Sequence, residues 1–267
     1  MKQNKKRADE LVFQQGLAKS RSQAQALIMA GEVFAAERLI KKAGEQWAED
    51  TVFSLTPRRR FVSRGGYKLE GALLDLAVDP AGLDALDIGA STGGFTDCLL
   101  QYGAGSVTAV DVGKNLLDQR LCLDERVRII DGVNARALTD HLPAASFDLA
   151  VIDVSFISLA LILPQAVSLV KPQGRILAMV KPQFEAGRDK IGKKGVVRDP
   201  LVILETVNKI SELGPGLNPP FLESGRAPSR LPGPEGNQEV FLLFTPAALA
   251  PDNYVSQSQL NDKEEEV

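Results

Sequence analysis

Two charged residues close apolar runs in the middle of this 267-residue chain. Asp153 ends the run LAVID and Lys181 ends ILAMVK, and both runs have the length and composition of a buried strand. In an open α/β sheet, ligands bind at the carboxyl edge of the strands, so an acid and an amine at two such ends mark a place for chemistry. A third run supplies a loop for a ligand. In LDIGASTGGFTDC (86–98), Asp87 stands at a strand end, and Gly89, Ala90, Ser91, Gly93 and Gly94 make a small-residue turn. Phe95 then opens an apolar helical pattern.

The spacing of Gly89, Gly93 and Gly94 is not the G-x-G-x-x-G of a dinucleotide loop, and an acid at position 87 repels a pyrophosphate. S-adenosylmethionine (SAM) carries no phosphate and suits this loop better. Its ammonium matches Asp87, and its carboxylate matches the backbone N–H groups that glycines leave open to approach. Asp111 closes the next apolar run 22 residues after Gly89, where an acid accepts the two ribose hydroxyls of such a ligand. Asp131 and Asn134 follow the third run and are placed to bound the adenine.

Apolar runs at 85–88, 107–111, 127–130, 149–153, 176–180, 220–222 and 240–244 must position these residues. Helical segments separate most of them, which predicts a doubly wound α/β domain. The most apolar stretch, 149–170, is broken by Asp153 and Pro164 and reads as a strand followed by a buried helix, not a membrane span. The first 55 residues differ. A helix over 8–15 stops at Gly16. Ser20 or Ser22 caps a second helix with an Ala24, Leu27, Ile28 stripe and a stop at Gly31, and short strands follow at 33–34 and 52–55. The expected organisation is a small module over 1–57, a basic linker over 58–65 carrying Arg58, Arg59 and Arg60, a main domain over 66–246, and a disordered acidic tail over 247–267.

Charge is unevenly spread. Residues 1–70 hold 14 Lys/Arg against 8 Asp/Glu, and the rest hold 17 against 26, so the front is the expected contact for a polyanion. The two cysteines, Cys98 and Cys122, suggest neither a disulfide framework nor a metal site, and no metal is expected. No signal-like segment follows the basic N-terminus, and cytoplasmic residence is the expectation.

LDIGASTGGFTDCLLQYGAGSVTAVDVG, VIDVSFISL and MVKPQFEAGRDKIGKKGVVRDP closely resemble the TlyA family of hemolysin-named rRNA methyltransferases, whose catalytic domain is similar to the FtsJ-type ribose methyltransferases. KKRADELVFQQGLAKSRSQAQALIMAGEV resembles the two-helix signature of an S4-type RNA-binding domain. The resemblance implies a Rossmann-like SAM-dependent methyltransferase domain with a doubly wound seven-stranded sheet, preceded by a small α+β S4 domain. It implies methyl transfer to ribose 2′-hydroxyls of ribosomal RNA, usually at cytidines, with ribosomal RNA or ribosomal subunits as partners. The family's Lys-Asp-Lys-Glu set falls on Lys68, Asp153, Lys181 and Glu239.

A ribose hydroxyl must lose its proton as its oxygen attacks, so a base or a charge stabiliser is needed. The resemblance gives that role to Lys181, with Lys68 as the second cation and Asp153 and Glu239 as the balancing carboxylates. RNA phosphates are expected on Lys5, Lys6, Arg7, Lys19, Arg21, Arg58, Arg59, Arg60 and Arg64. Two departures from the family stand out. Val33, Phe34, Ala35 and Ala36 replace a Val-Asn-Gly turn, and GKNLLDQRLCLDERV replaces a Gly-Tyr-Gly-Gln continuation after Asp111. A membrane-lytic protein and a non-catalytic RNA-binding factor are the competing readings, and the intact four-residue set weighs against both.

Overall fold

The computed structural model describes residues 5–36, 38–55 and 60–249. Arg58, Arg59 and residues 250–267 of the expected tail lie outside the described residues. The chain divides into two compact units, Met1–Arg60 and Phe61–Val267.

The first unit runs β1 (Lys5–Arg7), α1 (Ala8–Gln14), α2 (Arg21–Met29), β2 (Val33–Ala35), β3 (Arg38–Leu39), β4 (Gln46–Ala48) and β5 (Phe53–Leu55). Ser20 caps α2, its hydroxyl accepting from the Gln23 N–H at 3.1 Å. Gly16 and Gly31 take positive φ where α1 and α2 end. Strand β1 pairs with β4, and β2 lies between β3 and β5, all antiparallel. Leu11, Val12, Ile28, Val33, Ile40 and Phe53 form the core. Strands β1, β3 and β4 have two or three residues each, too short to show an alternating pattern, and the sequence reading passes over them.

The second unit contains β6 (Asp84–Ile88), β7 (Ser106–Asp111), β8 (Val127–Asp131), β9 (Phe147–Ile152), β10 (Val170–Val180), β11 (Phe221–Pro228) and β12 (Val240–Pro246). They form one seven-stranded sheet in the order β11-β12-β10-β9-β6-β7-β8. Five central and edge strands run parallel, and β12 is antiparallel to both of its neighbours. Helices α3 (Arg64–Asp75), α4 (Gly94–Gln101), α5 (Gln119–Cys122), α6 (Leu163–Leu169), α7 (Pro182–Glu185) and α8 (Pro200–Ser211) complete it. Alternate strand residues feed two cores. Leu86, Ile88, Ala150, Ile152 and Val180 pack with α6 and α8, while Ala85, Leu149, Val151 and Met179 pack with α3 and α4.

The unit begins earlier than its sequence suggests. Phe61 is fully buried and Ser63 caps α3, so the segment expected as linker already belongs to this fold at its end. Strand β11 also outruns its expected bounds. It is an edge strand, paired only with β12, and its polar ESGR stretch hides it from a hydropathy reading. Ala247–Leu249 form a 3-10 turn tied by the Ala247 N–H to the Pro220 carbonyl, so ordered chain extends past residue 246.

Chain order reverses between β6 and β9, and Ile88 is in register with Ile152 there. That switch point opens a crevice at the carboxyl edge. Gly89 makes it possible. Its φ is +88°, and a Cβ there would lie 2.6 Å from the Asp153 carbonyl oxygen.

Candidate active site

Lys181 leaves β10 and caps α7, whose first residue is Pro182. Its Nζ lies 2.5 Å from Asp153 Oδ1 and donates to Ser155 Oγ at 2.9 Å. The contact with Asp153 is charge against charge, without the alignment of a hydrogen bond. Asp153 is fixed by its own backbone, its N–H donating to the Ile88 carbonyl across the switch point. A second pair lies between α3 and the start of β12. Lys68 Nζ is 2.5 Å from Glu239 Oε2, with Lys68 8% exposed and Glu239 fully buried. Glu239 Oε1 has no hydrogen-bond partner among the described residues, and a Cβ at Gly233 would overlap it. Each buried ammonium thus has a carboxylate, the condition under which such charges are tolerated.

Two clefts open on this edge. One of about 420 Å³ is lined by Gly89, Ser91, Asp111, Asn134, Asp153 and Ser155, with Val110, Val112, Leu116, Val133 and Ile157 as apolar walls. The other, about 220 Å³, is lined by Ser63, Arg64, Lys68, Ala90, Gly94 and Phe95. Gly89, Ser91 and Asp153 border both. Of the four residues expected from sequence, Asp153 borders both clefts and Lys68 lines the smaller, while Lys181 and Glu239 line neither and reach them through their pairs with Asp153 and Lys68.

The loop residues assume distinct parts. Asp111 ends β7 with Oδ2 accepting from the Ser91 N–H at 2.8 Å and Oδ1 from the Gly113 N–H at 2.7 Å, which ties the glycine loop to the second strand. Gly93 has φ +90°, and Leu117 and Leu121 occupy the place a side chain would need. Asn134 lines the larger cleft, its side-chain oxygen accepting from the Arg136 N–H. Asp131 does not line it. Its carboxylate accepts from the Asn115 N–H and so braces the turn that carries Leu116 into the cleft wall.

Asp87 also lies behind the surface of both clefts. It is on the face of β6 toward α4, fully buried, and Thr96 Oγ1 donates to its Oδ2 at 2.6 Å while Oδ1 has no partner among the described residues. Burial, outweighing the Thr96 hydroxyl and reinforced by the nearby charges of Asp153 and Asp111, pushes its carboxyl up to about 7. Ser155, Thr96 and Ser63 are missed by the sequence reading. Ser155 alone had a legible signal, standing two residues past Asp153 in VIDVSF.

A profile of the FtsJ-like methyltransferases matches residues 61–245, and one of the S4 domain matches 6–46. The 16S/23S rRNA (cytidine-2′-O)-methyltransferase TlyA of Mycobacterium tuberculosis is 41% identical over 242 residues, covering 88% of each chain. The chain belongs to the TlyA family of FtsJ-like methyltransferases. Another relative, named Hemolysin A, from Brachyspira hyodysenteriae, is 36% identical over 89% of this chain and 99% of its own. A solved hemolysin-named structure from Streptococcus thermophilus superposes with a TM-score of 0.67 at 38% identity, covering 98% of both chains. Among the described residues, no helix of this TlyA-family chain is long and apolar enough to cross a membrane.

The S4 unit carries the expected cations unequally. Lys5, Lys19 and Arg21 are exposed, and Lys6 pairs with Glu49 at 3.0 Å. Arg7 and Arg21 both donate to Asp9, so part of their charge is spent inside the fold. Arg60 and Arg64 are exposed, Arg64 donating to the Pro232 carbonyl. Arg38, Lys41 and Lys42 line a shallow groove on the same unit, a basic patch that the run RLIKK could have disclosed.

Proposed function

We propose that this chain transfers the methyl group of SAM to ribose 2′-hydroxyls of ribosomal RNA, at cytidines, in the cytoplasm. The observation that carries the reading is the Lys181 amine held between Asp153, which borders both clefts, and Ser155, which lines the larger one. The activity printed for the mycobacterial relative supports the substrate, and the S4 unit supports an RNA partner.

The larger cleft fits SAM by the chemistry of its walls. Asp111 and Asp153 face it against one cation, Arg136, which suits a phosphate-free sulfonium ligand better than a pyrophosphate. Asp111 would hold the ribose hydroxyls, and the N–H groups of Gly94 and Phe95 at the start of α4 the carboxylate, while Gly89, Ala90, Ser91 and Gly93, whose N–H groups donate to Val110, Asp111 and Ala90, shape the loop around it. Asp87, behind the loop, would attract the ammonium by its charge. Asn134 and the apolar walls would bound the adenine, with Asp131 bracing that wall. SAM, when bound, would supply an electrophilic methyl group for the hydroxyl oxygen.

Lys181 handles the proton of the attacking hydroxyl, either taking it as the neutral amine or stabilising the forming alkoxide as the ammonium. Asp153 and Ser155 fix Nζ so that no reorientation is needed at the moment of transfer. Lys68, oriented by Glu239, places a second positive charge on the smaller cleft and favours the oxyanion. RNA phosphates are contacted by Lys5, Lys6, Lys19 and the unspent charge of Arg7 and Arg21, and by Arg58, Arg59, Arg60 and Arg64.

The test uses ribosomal subunits from cells with and without the gene. The purified chain and methyl-labelled SAM are added, and ribose methylation is mapped at single-nucleotide resolution. Label on cytidine 2′-oxygens, only in subunits from cells lacking the gene, is the expected result. Label on bases, or none, overturns the reading.

A further inference from the structure

The segment after Lys181 and the segment after Asp153 run alongside each other and are joined at successive points. Lys181 Nζ meets Asp153 and Ser155 at the first. The rings of Phe184 and Phe156 lie 4.9 Å apart between centroids at the second. At the third, Glu185 receives two hydrogen bonds, from the Ser158 hydroxyl to Oε2 and from the Leu159 N–H to Oε1, both at 2.7 Å. Glu185 is 8% exposed, so this last joint is a carboxylate taken out of water. Burial pushes its carboxyl above the usual range, while the Leu159 and Ser158 donors and the charge of Lys209 work to keep it ionised.

A buried carboxylate with both oxygens matched is a costly way to close a loop, and hydrogen bonds to a charged group are roughly twice as strong as neutral ones. The loop it closes carries Asp153 and Ser155, the two groups that orient the Lys181 amine. Phe156, the next residue, has φ +63° and is 89% exposed, so little else packs down on this turn.

We infer that Glu185 is a positioning residue for methyl transfer: by clasping Ser158 and Leu159 to α7 it holds Ser155 against Lys181 Nζ, beside an Asp153 fixed by its own backbone. The inference rests on the transferase reading above. Loss of the clasp frees the loop, and a displacement of about 1 Å at a reacting group costs on the order of 100-fold in rate.

The experiment measures single-turnover methylation of unmethylated ribosomal subunits by the full chain with labelled SAM. Glu185→Ala is expected to slow transfer by about 10-fold to 100-fold with the KM for SAM within about threefold of wild type. Glu185→Gln, which offers an oxygen to Leu159 and an amide to Ser158, is expected to recover most of the rate. In a Lys181→Ala background the Glu185→Ala change should cost little more, because the positioned group is already gone. Should Glu185→Ala not fold, Ser158→Ala removes one clasp donor and is expected to give a smaller loss with the same dependence on Lys181.

A Glu185→Ala enzyme at the wild-type rate overturns the inference. So does an equal loss in both backgrounds, which is the signature of a merely structural residue. A wild-type chain that transfers no methyl overturns the transferase reading itself, and that outcome is read before any variant is compared.

Discussion

Asp9 in the S4 unit and Asp87 in the methyltransferase unit are both fully buried aspartates, and they carry opposite electrostatics. Asp9 accepts from Arg7 at 2.9 and 3.0 Å, from Arg21 at 3.2 Å and from Gln25 at 2.6 Å. Those donors, Arg7 first, hold its carboxyl well below the ordinary range in spite of burial. Asp87 has one hydroxyl donor and two neighbouring acids, and it rises to about 7. Burial alone does not decide the charge of a buried carboxylate; the donors that meet it do. A satisfied acid ties β1, α1 and α2 together, while an acid with an unpartnered oxygen lies beside the strand ends where a cationic ligand is proposed to bind.

The comparison separates charges that hold the fold from charges kept for chemistry, and Lys181→Ala tests it most severely. The methylation rate is expected to fall about 100-fold to 10,000-fold, the span of losing one acid-base group, with SAM affinity nearly unchanged. Lys181→Arg keeps the cation but cannot act as a base near neutral pH. Activity in that variant favours electrostatic stabilisation, and its loss favours the base. A Lys181→Ala enzyme with wild-type single-turnover rates would remove both roles and place Lys181 beside Asp9 as a structural charge.

Asp9→Ala is the converse change. It leaves the Arg7 and Arg21 guanidinium groups without their buried partner, but these are 41% and 48% exposed and water can take the place of the carboxylate, so the cost to the S4 unit is about 1.5–3 kcal/mol. Because the Asp9 carboxyl is lowered in the folded state, its stabilisation is fully present above the ordinary carboxylate range and is lost as pH falls below that range toward the lowered folded value. Hydrogen exchange is the measurement. Amides of α1 and α2 should lose protection in the variant while those of β6 and β9 keep theirs, and wild-type protection in α1 would show that Asp9 is dispensable.

The sequence made the strand ends legible because a charged residue closing an apolar run stands out at single-residue resolution. Asp111, Asp153 and Lys181 were all found that way. Lys68 and Glu239 carry no such pattern, since Lys68 lies inside α3, Glu239 precedes β12 instead of closing a run, and they meet across 171 positions. Only the family resemblance pointed to them. Ser155 and Glu185 escaped for a related reason: a hydroxyl or carboxylate acting on another side chain leaves no periodicity. In the fold, the long parallel strands announced themselves, whereas β1, β3, β4 and the polar half of β11 depend on pairing partners distant in the chain.

The smallest expected effect is the most telling for Asp87. Its folded carboxyl near 7 against an ordinary 3.8 means that the folded state binds the proton more tightly than the unfolded one. Stability contributed by this group therefore falls as pH rises from about 4 to about 7, and above that the full penalty applies. A shift of about three units corresponds to roughly 4 kcal/mol, from which an imperfectly bonded amide takes back about 1–3. Asp87→Asn is thus expected to stabilise the ligand-free methyltransferase unit by about 1–3 kcal/mol at pH 8 and to destabilise it by about 1–3 kcal/mol at pH 4, where the carboxyl is protonated and only the poorer bonding of the amide remains. The same variant should bind SAM more weakly, because the carboxylate proposed to attract the ammonium has gone. Thermal unfolding at the two pH values, with and without SAM, measures both signs. Destabilisation at pH 8 in the absence of ligand would make Asp87 a second Asp9, a charge that the fold requires, and the contrast between the two buried acids would fall.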